Sequence, residues 1–143
     1  MNVLFLKFFD NNTMALNPQY KNIGKGVVSQ YYALFDEPLQ QPNLIKFHSA
    51  TDSFISFKGL QNQGAPKIME KLNSRLTFQK ISHASTAIDS QPMYNGGALI
   101  NVLGHLQCDE EPSHAFSEIF ILRPMSGTFA CAHDIFRLNS HNK

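Results

Sequence analysis

Two apolar, strand-like segments flank the acidic turn Asp109-Glu110-Glu111-Pro112. In the first, Ala98 to Cys108, residues Ile100, Val102, Leu106 and Cys108 share one parity. In the second, Ala115 to Arg123, residues Phe116, Phe120 and Leu122 alternate with Ser117, Ile119 and Ile121. Successive strand residues point to opposite faces, so each segment reads as one strand with two distinct faces. Runs rich in β-branched and aromatic residues, bounded by turn chemistry, pair as hairpins. Three carboxylates at the rim of this hairpin form a fixed negative patch, suited to a Lys or Arg on a partner.

Helices precede this hairpin. Asn17-Pro18 offers an N-cap followed by proline at the first helical position. From there Tyr20, Ile23, Val27, Tyr31, Leu34 and Phe35 recur at spacings of three and four, which predicts an amphipathic helix closed by Asp36-Glu37-Pro38. A short helical piece is expected over Leu44 to His48, then an extended stretch carrying Phe54, Ile55 and Phe57 and a turn at Gly59. Gly64-Ala65-Pro66 opens a second helix with Ile68, Met69 and Leu72 inward. A strand is expected from Phe78 to Ile88, then a tight hairpin at Tyr94-Asn95-Gly96-Gly97, because Asn-Gly accepts positive φ. The last strand is expected over Phe129 to Leu138, after a turn at Met125-Ser126-Gly127-Thr128. Helices followed by antiparallel strands predict an α+β fold with the helices on one face of a sheet.

The length of 143 residues suits one domain with a core that needs no staples. Residues 1–13 read as an N-terminal extension, disordered or untranslated, to a domain of residues 14–143. Val3 to Phe9 imitates a short signal segment, but Lys7 interrupts it and no small-x-small cleavage site follows. The formal net charge of +1 provides no global field for nucleic acid or an anionic membrane. Cys108 and Cys131 both fall in apolar strand patterns and read as reduced, buried thiols.

Motifs for chemistry are sparse. The six histidines form no His-x-x-x-His pair, and no Cys-x-x-Cys is present, so no metal and no cofactor is expected. Nucleophile elbows and phosphate-cradling loops are absent too. A general acid/base site built from His133, Asp134, His83 and Asp89 is the strongest enzymatic option. Neighbours on one strand face opposite sides, however, so His133 and Asp134 cannot both point inward.

Several segments, in order, resemble the nuclear transport factor 2 family, and in detail its insect form. They are Tyr31-Tyr32-Ala33-Leu34-Phe35-Asp36, Phe78-Gln79-Lys80-Ile81, Asp89-Ser90-Gln91-Pro92, Gly104-His105-Leu106-Gln107 with the acidic turn, and Asp134-Ile135-Phe136-Arg137-Leu138. The match runs from about Met14 to Asn142. The resemblance implies a cone-shaped fold, with a strongly bent antiparallel sheet wrapped by N-terminal helices. It also implies a homodimer formed through the sheet. Its implied function is nuclear import of the small GTPase Ran in its GDP form, with binding to phenylalanine-glycine repeats of nucleoporins. The implied setting is cytoplasm, nucleus and nuclear pore, without catalysis.

Carried over residue by residue, the resemblance assigns Phe57, Leu76, Ile81, Ile119, Ile135 and Phe136 to a cavity that accepts an aromatic side chain of Ran. It assigns Asp109 and Glu111 to an acidic rim. A third rim acid is expected after the first strand, where this chain reads Phe57-Lys58-Gly59. Losing a buried charge pair costs on the order of 2–5 kcal/mol, before any repulsion. At about 1.4 kcal/mol per tenfold, Lys58 implies Ran affinity reduced by about 30-fold or more. Tyr20 stands where the family often has Trp in the repeat-binding site, and one extra residue falls near Ser74-Arg75-Leu76. Two further readings remain open. One is a diverged paralogue that keeps dimerisation and nucleoporin binding without Ran. The other is a dehydratase- or isomerase-type enzyme of the same fold, because one architecture hosts both kinds of function.

Overall fold

The computed structural model describes residues 16–48, 52–57, 59–75, 80–125 and 127–139. The proposed extension, Lys58 and Leu76 lie outside them. Helix α1 spans Tyr20–Asp36, and a 3-10 segment spans Gln41–Phe47. Strands β1 (Phe54–Phe57) and β2 (Leu60–Gln63) precede helix α2 (Ala65–Arg75). Four long strands follow: β3 (Ile81–Pro92), β4 (Ala98–Cys108), β5 (His114–Met125) and β6 (Thr128–Leu138).

Asn17 prepares the start of α1. Its side-chain oxygen accepts from the Gln19 amide at 2.8 Å, and its carbonyl accepts from the Tyr20 amide at 3.3 Å. Regular helix therefore begins at Tyr20, two residues beyond the proline. The helix buries Val28, Tyr31, Tyr32 and Phe35. Helix α2 starts after Gly64, whose φ of 85° suits a residue without Cβ.

The six strands form one sheet in the order β2-β1-β6-β5-β4-β3. Strands β3 to β6 are antiparallel hairpin neighbours, as their sequence pattern predicts. The sheet as a whole is not antiparallel: β1 runs parallel to β6, with Ile55 opposite Asp134 and Phe57 opposite Phe136. The expectation of an antiparallel sheet is corrected to a mixed one. Its cause is connectivity, since the chain leaves β2 through α2 before entering β3 at the far edge. Phe78 and Gln79 of the expected strand lie outside the described residues, and β3 ends later than expected, at Pro92. It stays paired to β4 up to Pro92 opposite Ala98, where the Asn95-Gly96 turn closes the hairpin.

The parity read from the sequence sorts the two faces. Ile100, Val102, Phe116, Phe120 and Leu122 are buried beneath α1 with Leu44, Phe47, Ile55 and Ile68. Leu99, Asn101, Leu103, Ile119, Ile121 and Ile135 occupy the opposite face. Curvature is introduced where β3 shifts register between Ser85 and Ala87, opposite Gly104. A Cβ on Gly104 would stand 2.4 Å from the Ala84 carbonyl oxygen and 3.0 Å from Phe116 Cζ.

Gly104 is therefore a packing requirement, whereas a Cβ on Gly26 of α1 would meet nothing within 4 Å. Gly104→Ala is expected to lower stability by about 2 kcal/mol through overpacking. Gly26→Ala is expected to raise it by roughly 0.5–1 kcal/mol through helix propensity. Urea unfolding of both variants checks this, and equal effects would contradict the packing account.

Candidate functional site

One end of the sheet gathers the candidate rim. There β1 ends at Phe57, β6 at Leu138 and β4 at Cys108, while β5 starts at His114 and β3 at Ile81. The acidic turn joins β4 to β5 at this end. Asp109 has φ of 51°, a left-handed conformation that Asp tolerates better than most residues. Its amide donates to the Lys80 carbonyl at 2.8 Å, and its Oδ1 accepts from the Lys80 amide at 2.9 Å. Asp109 thus extends the β3–β4 ladder past its last strand pair. Glu110 and Glu111 are exposed, and the Glu111 backbone is pinned by Cys108 and Gln107.

The candidate cavity residues do not share one surface. Ile81 and Phe136 lie on the inner face, Phe136 buried and Ile81 packed against the core. Ile119 and Ile135 are register partners on the opposite face, and Ile135 is 47% exposed. Ile135 and Phe136 are consecutive on β6, and the pleat sends their side chains to opposite faces. The backbone of Phe57 pairs with Leu60 and Phe136, and its side chain lies outside the described residues, as do Lys58 and Leu76. Tyr20 is half-buried on the first turn of α1, with Lys21 Nζ 6.0 Å from its ring centre.

The inner face also carries acids. Glu118 and Asp134 are buried, and two adjacent tyrosines of α1 reach them. The Tyr32 hydroxyl donates to Glu118 Oε1 at 2.7 Å, and the Tyr31 hydroxyl donates to Asp134 Oδ2 at 3.0 Å. Burial pushes Glu118 well above the usual carboxylate range, with Asp134 adding repulsion, and burial raises Asp134 too. Glu118 shares the parity of Phe116 and Phe120, so strict alternation points to an inward acid that motif searching alone does not find. Asp134 turns inward and His133 outward, in keeping with the pleat.

Beside this cluster, His83 lies flat on Tyr32 with ring centres 4.4 Å apart. Asp36 holds it twice, through His83 Nδ1 at 2.6 Å and the His83 amide at 2.8 Å. A groove of about 460 Å³ opens above them, lined by Lys25, Ser29, Tyr32, Asp36, His83 and Ile88. His48 is buried, with no hydrogen-bond partner on either ring nitrogen, and burial lowers its pKa to about 4. Asp89 is exposed on β3, away from this cluster's inward parity. His83, Asp89, His133 and Asp134 therefore do not converge on one centre. No group of His, Cys, Asp and Glu suited to a metal ion occurs among the described residues.

A curved mixed sheet with helices on one face and an acidic turn at one end defines the α+β class known as the nuclear transport factor 2-like fold. The Nuclear transport factor 2 (NTF2) domain model matches residues 23–138, and the chain belongs to that family. It is 38% identical over 133 residues to the probable nuclear transport factor 2 of Caenorhabditis elegans, covering 90% of this chain and 99% of that protein. It is similar in structure to nuclear transport factor 2 of Cryptosporidium parvum, with a TM-score of 0.83, 35% identity, and coverage of 88% and 99% of the two chains. A putative scytalone dehydratase of Novosphingobium aromaticivorans shares the fold at 15% identity and a TM-score of 0.65, covering 81% of each chain.

His48 generates an acid-side prediction. Folded His48 stays neutral until about pH 4, whereas the unfolded residue takes a proton near 6.5. Between those values the unfolded chain binds more protons, so stability falls as pH drops through this window and is complete above it. The wild type is expected to lose about 3 kcal/mol more than His48→Phe across the window. Chemical denaturation at a series of pH values measures the difference, and parallel curves would remove His48 as the cause.

Proposed function

We propose that this chain is a nucleocytoplasmic transport factor that binds Ran in its GDP form and phenylalanine-glycine repeat nucleoporins, working as a homodimer in the cytoplasm, nucleus and nuclear pore. The carrying observation is that the apolar inner face and the acidic turn end at the same edge of the sheet. An aromatic side chain entering there meets Phe136 and Ile81, while basic side chains beside it meet Glu110, Glu111 and Asp109. The names of the relatives support a nuclear transport factor role. The outer face supports dimerisation, because Leu103 and Ile135 are 45% and 47% exposed beside half-buried Ile119 and Ile121. Tyr20 provides an aromatic platform for a repeat.

The buried acids do not favour the enzymatic reading. Glu118 and Asp134 are sealed from solvent and engaged by tyrosines, and a general acid must reach its substrate. Lys58 favours a second reading, a paralogue that keeps dimer and repeat binding with little Ran affinity.

Ran-GDP affinity separates these readings. Lys58→Glu is expected to tighten Ran-GDP binding by about 30-fold or more, and Glu111→Lys to weaken what binding the chain has. Equal affinity of wild type and Lys58→Glu would remove the electrostatic argument. Ile135→Lys is expected to shift the chain to a monomer in sedimentation experiments, because a charge is placed at the centre of an apolar face. Failure to bind either Ran-GDP or repeat peptides would sink both transport readings.

A further inference from the structure

The acid pair serves neither the rim nor the outer face. Glu118 is opposite Phe136 and Asp134 is opposite Phe120, so the two carboxyls meet diagonally on the inner face of β5 and β6. They are 3% and 1% exposed. The titratable groups facing them are Tyr31 and Tyr32 from α1 with Asp36 behind, His83 from β3, and Cys131 from β6. His48 adds a neutral ring edge-on to Tyr31. Their register neighbours on β4 and β1, Val102 and Ile55, are apolar. Among the described residues no Lys or Arg faces the pair, and His83 is turned to Asp36.

Protons are scarce in this cluster. Each tyrosine hydroxyl has one to give, and these go to Glu118 Oε1 and Asp134 Oδ2. Asp134 Oδ1 is left buried without a donor. The diagonal register sets the Glu118 carboxyl on the same inner side of the sheet as this orphaned oxygen. Two carboxylates can only repel, whereas a carboxylic acid donates to a carboxylate in a short, charge-assisted bond.

We propose that Glu118 and Asp134 share a proton in an O–H···O bond across β5 and β6, and that this acid pair is a pH-sensitive latch holding α1 on the sheet. With the proton in place, Tyr31 and Tyr32 dock on a cluster carrying at most one negative charge. Once it leaves, two like charges face each other in an apolar core with no Lys or Arg beside them, which favours separation of the strands' side chains and release of the tyrosines. Tyr32 would carry that release to the groove, because its ring lies on His83.

The unfolded carboxyls ionise near pH 4, while the folded pair keeps its proton to higher pH. The stabilisation is therefore complete below the unfolded value and is lost as pH rises, until the folded pair ionises. The informative window opens above the unfolded carboxyl value and closes where the folded pair ionises, and His48 cancels because both proteins carry it.

The test compares urea unfolding of the full chain with that of Glu118→Gln across this window. Glutamine keeps the shape, still accepts from Tyr32, and offers an N–H to Asp134 Oδ1. Relative to Glu118→Gln, the wild-type unfolding constant is expected to rise by up to tenfold per pH unit, the signature of one proton. Parallel pH dependence in the two proteins overturns the proposal. Infrared spectroscopy of the wild type in D2O at neutral pH gives a second readout that needs no variant. A protonated carboxylic acid carbonyl band supports the latch, and its absence overturns it.

Discussion

Two adjacent tyrosines decide how α1 lies on the sheet. Tyr31 and Tyr32 are consecutive on the helix, yet their hydroxyls end on different strands, at Asp134 of β6 and Glu118 of β5. A rotation or slide of α1 by one residue would break both bonds and leave buried acceptors without donors, an expensive outcome in an apolar core. The rings pack as well as bond. Tyr31 lies edge-on to Phe47 and Phe120, and Tyr32 to Phe116. One contact zone thereby sets the helix register, seats the 3-10 segment and positions His83 at the foot of the groove.

The rim depends on that framework from the other end. Asp109 is both a carboxylate at the proposed docking edge and the clasp that closes the β3–β4 ladder on Lys80. Its negative charge sits at a fixed place because backbone hydrogen bonds hold it there. Glu111 has only backbone restraints and an exposed side chain, so it acts as an adaptable charge beside a rigid one. Such a division suits the proposed docking role, in which one charge attracts a basic partner and the other aligns it.

Much of the fold is legible in the sequence because its signals are local. Period-two alternation in Ala98–Cys108 and Ala115–Arg123 separates the two faces, and Asn95-Gly96 marks the hairpin. The parallel β1–β6 pair is not legible, since the order of strands in a sheet is set by crossovers between distant segments. The candidate site is less legible than the fold. The family resemblance assigns Ile135 and Phe136 to one cavity, whereas the pleat turns them to opposite faces, because a set of positions transfers without regard to the strand period. The inward Glu118 has plain parity, yet an acid on an otherwise apolar inner face runs against the usual composition of a core.

Residue order alone established an α+β domain of the nuclear transport factor 2 family, its two helices, its hairpins and its acidic turn, because propensity, turn chemistry and periodicity act over a few residues. Tertiary structure alone brought Tyr31 to Asp134, 103 positions away, and Tyr32 to Glu118, 86 positions away. It also split the apolar strand residues between a packed core and an exposed face, and tied Asp109 to Lys80. These are long-range pairings, whose partners are chosen by the curvature of the sheet and the seating of α1.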